Sequence, residues 1–412
     1  MTGIIPCPME NLSTYSRFIQ RLRRRYANEL HLLPEGAPVL STMQACFEAL
    51  RQHHNSGDAL RMLRQLVMER LVVLDCDQRV ELDVVTRAVT ELGEFTLDEA
   101  FKEAQAQLDG SYGIPTTPNG ERATLWIVGM GKFGARELNV SSDIDLIYVY
   151  DEDGETTGLP DGRGRISNHD YFAKAVKLIY ALIGDTTEHG FVFRMDLALR
   201  PNGNSGPSVV SRQSLEEYFL VQGREWERYA WIKGRVIAGP AKVIADLLRP
   251  FVFRKYLDYG AFASMRDLKV QIQRDVNKRD MHDNIKLGRG GIREIEFIAQ
   301  VFQLIRGGQD VSLQIRPTLS VLALLREKHL LLDQTVEELS AAYVFLRDLE
   351  HRLQYAEDQQ TQTLPTNDEG KARLALAMNC ESWDALYAKI EVHRQIVDKH
   401  FSEVFSDPKG QQ

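Results

Sequence analysis

The sequence predicts an α+β protein that is mostly helical, with a small mixed sheet between an N-terminal helical module and a C-terminal helical bundle. Apolar residues recur every three or four positions before residue 108 and again from residue 295, the spacing of one face of a helix. Between these regions, short apolar runs are interrupted by glycine and proline, which is typical of strands joined by turns. We expect three domains, 1–110, 111–270 and 271–412, because 412 residues exceed what one core usually fills.

Composition narrows the classes of function. Hydrophobic residues make up 43% and charged residues 26% of the chain, as in most globular proteins. The net charge of −8 argues against nucleic acid as the main partner, because binding to a phosphate backbone needs a basic surface. A basic cluster, Arg17 to Arg25, contains apolar residues at helical spacing, and we interpret it as the solvated face of an amphipathic helix.

The expected compartment follows from three features. The four cysteines are scattered and form no Cys-x-x-Cys pair, which is typical of free thiols in a reducing cytosol. No apolar stretch is long enough to span a membrane, and no signal-peptide core begins the chain. We therefore expect a cytoplasmic protein without a membrane partner.

The N-terminal module, residues 10–108, is predicted to be helical throughout. Breaks are predicted at Gly57 and around Gly93, and Thr96 is a predicted helix N-cap because acids follow it in the first turn. The segment 110–121 is rich in turn formers and is the predicted linker to the next domain.

The central motif joins a glycine turn to two aspartates. The apolar run 125–128 is interrupted by Gly129, Gly131 and Gly134, which predicts a buried strand that ends in a tight turn. A second buried strand, 143–150, begins with two aspartates on one face, because strand side chains alternate. Mg²⁺ is usually held by one or two carboxylates together with phosphate oxygens, so the motif predicts metal-assisted nucleotidyl transfer.

A dinucleotide-binding fingerprint is the main competing interpretation, since the three glycines have its Gly-x-Gly-x-x-Gly spacing. That fingerprint requires a long helix next and an acid after a second strand. Here the second strand follows after about ten residues, too few for a crossover to a parallel neighbour.

The remainder of the central domain is predicted to hold one helix and a third strand. The polar loop 151–165 is expected beside the site, and Ser167 is a predicted N-cap of a helix that ends near Gly184. The alternating segment Phe191–Arg200 is a predicted strand that carries Asp196.

From Leu215 onward helical spacing returns. Trp226, Tyr229 and Ile232 are predicted to pack inward, with the charged residues between them facing solvent or the cleft. Apolar stripes then predict a helical bundle to about residue 405, and 406–412 are expected to be frayed or cut.

A glycine-rich turn, Lys286–Phe297, interrupts these helices. The helix that follows can hold a phosphate at its N-terminus, so the turn either lines the cleft or is only a tight bend in the bundle. Glu294 and Glu296 cannot share one helical face, and the sequence leaves their roles open.

The motif Gly-Met-Gly-Lys-x-Gly-x-x-Glu-Leu-Asn-x-Ser-Ser-Asp-Ile-Asp-Leu-Ile resembles the nucleotidyltransferase motif of bacterial glutamine-synthetase adenylyltransferases, which are also adenylyl-removing enzymes. That family carries two such domains in tandem. The sequence around Asp143 and the segment Gln222–Ala230 are similar to the N-terminal, deadenylylating half of that family. The resemblance runs from about residue 15 to about 405 and implies a polymerase-β-like nucleotidyltransferase fold.

The resemblance implies a reaction and its partners. AMP is removed from an adenylylated tyrosine of glutamine synthetase, inorganic phosphate is the nucleophile and ADP is the product, with ATP as the donor in the opposite direction. Control by the PII signal protein, by its uridylylated form and by glutamine is implied as well, at sites that the sequence does not locate.

The resemblance also implies site residues. Mg²⁺, or Mn²⁺ in its place, is held by Asp143, Asp145 and Asp196. Phosphate oxygens are positioned by Gly129, Gly131, Lys132 and Ser142.

Two residues of the third strand have competing interpretations. Asp196 is either the third metal ligand, as the resemblance favours, or a structural partner of Arg194 or Arg200. Arg200, with the loop 202–205, can instead contact nucleotide phosphates, since its guanidinium forms bidentate bonds with them.

Two alternative functions remain open. One is adenylyl transfer from ATP, because one metal site can serve attack on the same phosphorus by either nucleophile. The other is a non-catalytic module that only docks a signal protein, against which the intact acids argue. No second Asp-x-Asp domain follows residue 300, so we expect an excised half or a truncated homologue.

Overall fold

The computed structural model describes residues 12–254 and 281–404, and predictions for 1–11, 255–280 and 405–412, such as the frayed end, lie outside the described residues. The strands are β1 (Leu125–Gly129), β2 (Asp143–Tyr150), β3 (Arg194–Asp196), β4 (Val209–Ser211) and β5 (Arg235–Ala238). The helices are α1 (Arg17–Arg25), α2 (Leu40–Arg51), α3 (Ser56–Val72), α4 (Leu82–Tyr112), α5 (Gly131–Gly134), α6 (Asn168–Ile183), α7 (Arg212–Val221), α8 (Glu225–Trp231), α9 (Ala241–Val252), α10 (Ile292–Arg306), α11 (Thr318–Glu327), α12 (Asp333–Tyr355), α13 (Asp368–Ala377) and α14 (Trp383–Val404).

The five strands form one mixed sheet in the order β3-β2-β1-β5, with β4 also paired to β2. β1 is antiparallel to β2 and to β5, whereas β2 is parallel to β3 at its start and to β4 at its end. The antiparallel pairing of β1 with β2 follows from their short connection, which excludes a crossover. The predicted class, mostly helical with a small mixed sheet, is confirmed.

Both faces of the sheet are buried. In β1, Leu125 and Ile127 belong to an apolar core shared with the N-terminal helices, and Trp126 and Val128 belong to a second core shared with the C-terminal helices. A strand covered on both faces reads as a continuous apolar run, which explains why β1 and β2 could be predicted from sequence. The predicted domain boundaries stay predictions.

The N-terminal module is helical as predicted, but one predicted break is wrong. α4 runs without interruption through Gly93 and Thr96. A Cβ at Gly93 would lie 2.8 Å from Cε2 of Phe133, so this glycine makes room for the Phe133 ring within the helix. Thr96 donates its hydroxyl to the Gly93 carbonyl and is no N-cap. The break at Gly57 is confirmed, since Asn55 caps α3 there.

Two predictions for the central domain need correction. The third strand is only three residues long, because Arg194–Asp196 alone pair with β2. The loop 151–165 leaves the end of β2 opposite to Asp143 and bonds to the segment 112–116, so it does not lie beside the acids. Ser167 does cap α6, as predicted.

The side chains of α8 are arranged differently from the prediction. Trp226 is 41% exposed, whereas Arg228 is fully buried and donates to the carbonyls of Phe251 and Val252. Glu227 is also buried, and its carboxylate accepts from the Arg224 N–H at the start of the helix.

Within the two described ranges, every helix is too short or too polar to cross a bilayer.

Candidate active site

The parallel pairing of β2 with β3 brings three carboxylates together. Asp145 lies opposite Asp196, and Asp143 lies opposite Arg194. One oxygen from each of Asp143, Asp145 and Asp196 lies within 4.8 Å of the others. Parallel neighbours are about 4.8 Å apart, so two acids on one strand and one on its neighbour form a compact triad.

The triad has the electrostatics of a cation site. Burial, followed by the charges of Asp143 and Asp196, raises the pKa of Asp145 to about 7. Three close carboxylates repel one another, and a divalent cation removes that repulsion. Oxygen-only ligands are those that Mg²⁺ prefers, so the donor set fits Mg²⁺ or Mn²⁺.

Within the described residues, neither Arg194 nor Arg200 is paired with Asp196. Asp196 accepts instead from the Ala198 N–H at 2.7 Å. Arg194 donates to the carbonyl and hydroxyl of Ser141, and Arg200 donates to the carbonyls of Leu197 and Gly206. The alternative in which Asp196 is a partner of one of these arginines is therefore not supported.

The glycine turn lies against the triad. Gly131 has a φ of +52°, and a Cβ there would lie 3.4 Å from Oδ2 of Asp145. The Met130 N–H donates to the Asp145 carbonyl at 2.9 Å. Gly129 has another role, because its Cα faces Phe133 and Ile237, whose atoms would lie 2.8 to 3.0 Å from an added Cβ.

A cleft of about 250 Å³ opens beside these residues. Five of the predicted site residues line it: Gly131, Lys132, Ser142, Asp143 and Asp145. Asp196 adjoins the cleft through the triad, whereas Gly129 and Arg200 are not among the lining residues. The other lining residues are Phe133, Leu199, Tyr229, Ala230, Lys233, Lys286, Leu287, Arg293, Glu296 and Gln300.

A buried charge network forms the floor of the cleft. Lys233 is 5% exposed and bonds to Glu137, Glu296 and the Thr318 hydroxyl at 3.0 to 3.2 Å. Glu296 also lies 3.5 Å from Nζ of Lys132. Sequence reasoning missed Lys233 and Glu137, because no local pattern marks partners that are 96 residues apart.

Two members of this network have opposite pKa shifts. Burial lowers the pKa of Lys132 to about 8, although Glu296 opposes that shift. Burial alone would raise the pKa of Glu296, but Lys132 and Lys233 outweigh it and hold the pKa below its ordinary value. Glu296 therefore stays ionised, and Lys132 is a cation that can release its proton near neutral pH.

The structure gives Glu294 and Glu296 of α10 different surroundings. Glu296 lines the cleft, whereas Glu294 accepts from the Gly290 N–H at 2.9 Å and stabilises the preceding turn. They lie on different faces, as predicted. Of the two interpretations of the turn 286–297, the structure supports the one in which the turn lines the cleft.

The loop before Asp143 is held from both ends of the chain. The Ser141 hydroxyl donates to Asp358 at 2.7 Å, and Asp358 also pairs with the buried Arg64. The Gln360 amide donates to Oδ1 of Asp143 at 2.6 Å. Arg64 of α3 and the segment that follows α12 thus jointly position one acid of the triad.

Three acids on adjacent parallel strands, a glycine turn against them and cations across the cleft are the features of a nucleotidyltransferase. A sequence model of the family described as glutamate-ammonia ligase adenylyltransferase matches residues 8–249. That match covers more than half of the chain, and the chain belongs to this family, as its sequence resemblance implied. Residues 266–405 match a second model, described as GlnD PII-uridylyltransferase.

Curated relatives have the same description. The chain is 49% identical over 400 residues to a bifunctional glutamine synthetase adenylyltransferase/adenylyl-removing enzyme of Chromobacterium violaceum, an alignment that covers 96% of this chain and 44% of the relative. A protein of the same name from Aromatoleum aromaticum is 47% identical over 414 residues, covering 98% of this chain and 43% of the relative. The chain thus spans less than half the length of these relatives.

Proposed function

We propose that the chain removes AMP from an adenylylated tyrosine of glutamine synthetase by phosphorolysis, releasing ADP, and so takes part in the regulation of nitrogen assimilation in the cytoplasm. The observation that carries this proposal is the triad of Asp143, Asp145 and Asp196 at the edge of a cleft with cationic side chains. The relatives' names include both adenylyl transfer and adenylyl removal. The likeness of the sequence to the N-terminal, deadenylylating half favours removal.

The triad is the proposed metal site. Asp143, Asp145 and Asp196 would hold Mg²⁺, or Mn²⁺ in its place. When bound, the cation supplies positive charge beside the reacting phosphorus and the departing tyrosine oxygen.

The chain's own groups would orient the substrate. Gly131 has no side chain and lets the phosphate approach the turn, where Lys132 and Ser142 can donate to its oxygens. Tyr229 stays neutral, because burial raises its pKa far above the physiological range. We propose that phosphate attacks the phosphorus of AMP directly, a reaction that needs no covalent enzyme intermediate.

The experiment supplies the purified chain with adenylylated glutamine synthetase and Mg²⁺, with and without phosphate. ADP should form only when phosphate is present. Release of AMP at an equal rate in phosphate-free buffer would show hydrolysis instead. The PII signal protein and its uridylylated form are proposed partners, and adding each should change the rate if this chain contains their site.

The second candidate is adenylyl transfer from ATP, which the bifunctional names of the relatives also describe. Unmodified glutamine synthetase with ATP and Mg²⁺ is the matched reaction. If glutamine synthetase becomes adenylylated in this reaction, and the phosphorolysis reaction forms no ADP, adenylyl transfer replaces adenylyl removal as the proposed function.

A further inference from the structure

Part of the cleft is lined by residues from the C-terminal part of the chain. Lys286 lies in the turn before α10, and Arg293 is the second residue of that helix. Both line the cleft together with Asp143 and Asp145. Cationic and acidic side chains thus line the same cleft.

The backbone holds the two cations in fixed positions. The side-chain oxygen of Asn284 accepts from the backbone N–H groups of Lys286 and Leu287, at 3.0 and 2.7 Å. The Arg293 N–H then donates to the Lys286 carbonyl at 3.1 Å. Lys286 and Arg293 are therefore linked through one backbone hydrogen bond.

Three glycines in this turn are required by close backbone contacts. A Cβ at Gly288, Gly290 or Gly291 would lie 2.1 to 2.8 Å from backbone carbonyl oxygens, and Gly290 has a φ of +69°. The nearest such oxygen to Gly290 belongs to Arg394 in α14. The turn is packed against the bundle with little freedom to move, so the backbone positions of Lys286 and of the start of α10 are fixed.

Charge balance leaves Lys286 and Arg293 available for a ligand. The two buried lysines of the floor are matched by their two glutamates. Within residues 12–254 and 281–404, by contrast, neither Lys286 nor Arg293 forms an ion pair with a carboxylate. Lys286 lines the same cleft as Asp143 and Asp145, so it can contact a ligand that the triad binds.

We propose that Lys286 and Arg293, together with Lys132, form the subsite for the attacking inorganic phosphate. This assignment rests on the proposed phosphorolysis. A phosphate dianion is repelled by three carboxylates, and the positive charges of Lys286 and Arg293, which line the same cleft, offset that repulsion. Arg293 supplies bidentate donors and Lys286 a point charge, a pair that suits a tetrahedral oxyanion.

The reaction balances with this placement. An oxygen of hydrogen phosphate forms a bond to the phosphorus of AMP, and the bond from that phosphorus to the tyrosine oxygen breaks. The electron pair leaves with the tyrosine oxygen, which takes up the proton that hydrogen phosphate loses. The products are ADP and unmodified tyrosine.

The test measures binding of inorganic phosphate by calorimetry in Mg²⁺ buffer, without nucleotide. Lys286→Met and Arg293→Met should each weaken phosphate binding about tenfold or more, the loss of one charge-assisted contact. Lys286→Arg should restore most of the affinity. Arg306→Met on the same helix and Lys177→Met on α6 are matched controls, because both residues are exposed and neither lines the cleft.

Kinetics supply the second measurement. In phosphorolysis, the KM for phosphate should rise about tenfold in the two methionine variants, while the KM for adenylylated glutamine synthetase stays unchanged. Melting temperatures equal to the wild type would exclude misfolding. A change in kcat alone, with unchanged phosphate affinity, would overturn the assignment.

The terminal phosphates of ATP carry the same chemistry and are the other source of such a ligand. A parallel titration with ATP separates the two. If the substitutions weaken only ATP binding, the subsite binds the terminal phosphates of a nucleotide, and the assignment to free phosphate is wrong. If phosphate binding depends on both cations but no ADP forms, the subsite stands and the proposed phosphorolysis fails.

Discussion

Glu294 is predicted to make the protein less stable as pH rises, and Glu294→Gln should remove that loss. Glu294 is 4% exposed, and its nearest donor is the Gly290 N–H. Burial raises its pKa to about 7 from an ordinary value of 4.5, although the Gly290 bond opposes the shift. Glutamine cannot ionise, and its carbonyl oxygen can still accept from Gly290.

The sign and size of the effect follow from proton binding. Between pH 4.5 and about 7 the folded state keeps a proton on Glu294 that the unfolded state has released. Unfolding then releases a proton, so stability falls as pH rises through this window and stays low above it. A shift of roughly two and a half pKa units corresponds to about 3 kcal/mol.

The assay is urea unfolding at pH 4.5, 6 and 8, in metal-free buffer. The free energies of unfolding of Glu294→Gln and wild type should nearly agree at pH 4.5. At pH 8 the variant should be more stable by about 3 kcal/mol. Glu337→Gln, at an exposed position of α12, is the control and should show no such divergence. A Glu294→Gln protein that is less stable by the same amount at every pH would refute the reasoning.

Three further predictions concern the triad and the glycine turn. Asp143→Asn or Asp145→Asn should abolish turnover while leaving the melting temperature nearly unchanged, as activity assays and thermal unfolding can show. Asp196→Asn should remove the rise in melting temperature caused by Mg²⁺ and leave the metal-free value unchanged or higher, because one repelling carboxylate is lost. Gly134→Ala should cost at least about 3 kcal/mol in urea unfolding, because the new Cβ would lie 1.9 Å from the Lys233 carbonyl oxygen.

Each of these three predictions has a control variant or an outcome that would contradict it. Full activity in the Asp143/Asp145 double variant would rule out the metal assignment. A persistent Mg²⁺ effect with a destabilised metal-free protein would make Asp196 structural. Gly110→Ala, in α4 with open space around its Cα, should be neutral or stabilise by about 1 kcal/mol.

Local features of the site could be predicted from the sequence because short-range physics determines them. β1 and β2 are apolar runs covered on both faces, and their short connection dictates antiparallel pairing. The alternation of side chains places Asp143 and Asp145 on one edge. The assignment of the third acid, Asp196, required that β3 lie beside β2. The family resemblance implied that pairing, and the register of the two strands confirms it.

Errors arose where packing overrides a local signal. Glycine usually weakens a helix, yet Gly93 continues α4 because the Phe133 ring occupies the space of its side chain. Charged residues usually face solvent, yet Arg228 is fully buried because it donates to two backbone carbonyls of α9. In both cases the deciding partner is at least 23 residues away.

The sequence by itself predicted β1, β2, the glycine turn and the pair Asp143 and Asp145, but it did not predict β4 or β5. Only the tertiary structure decided the rest of the cleft: the burial of Lys233 between Glu137 and Glu296, and the placement of Lys286 and Arg293 in the cleft that Asp143 and Asp145 line. The physical reason is that strand and turn preferences act over a few neighbouring residues. A charge, by contrast, acquires its function from partners that folding brings near, and local periodicity carries no information about them.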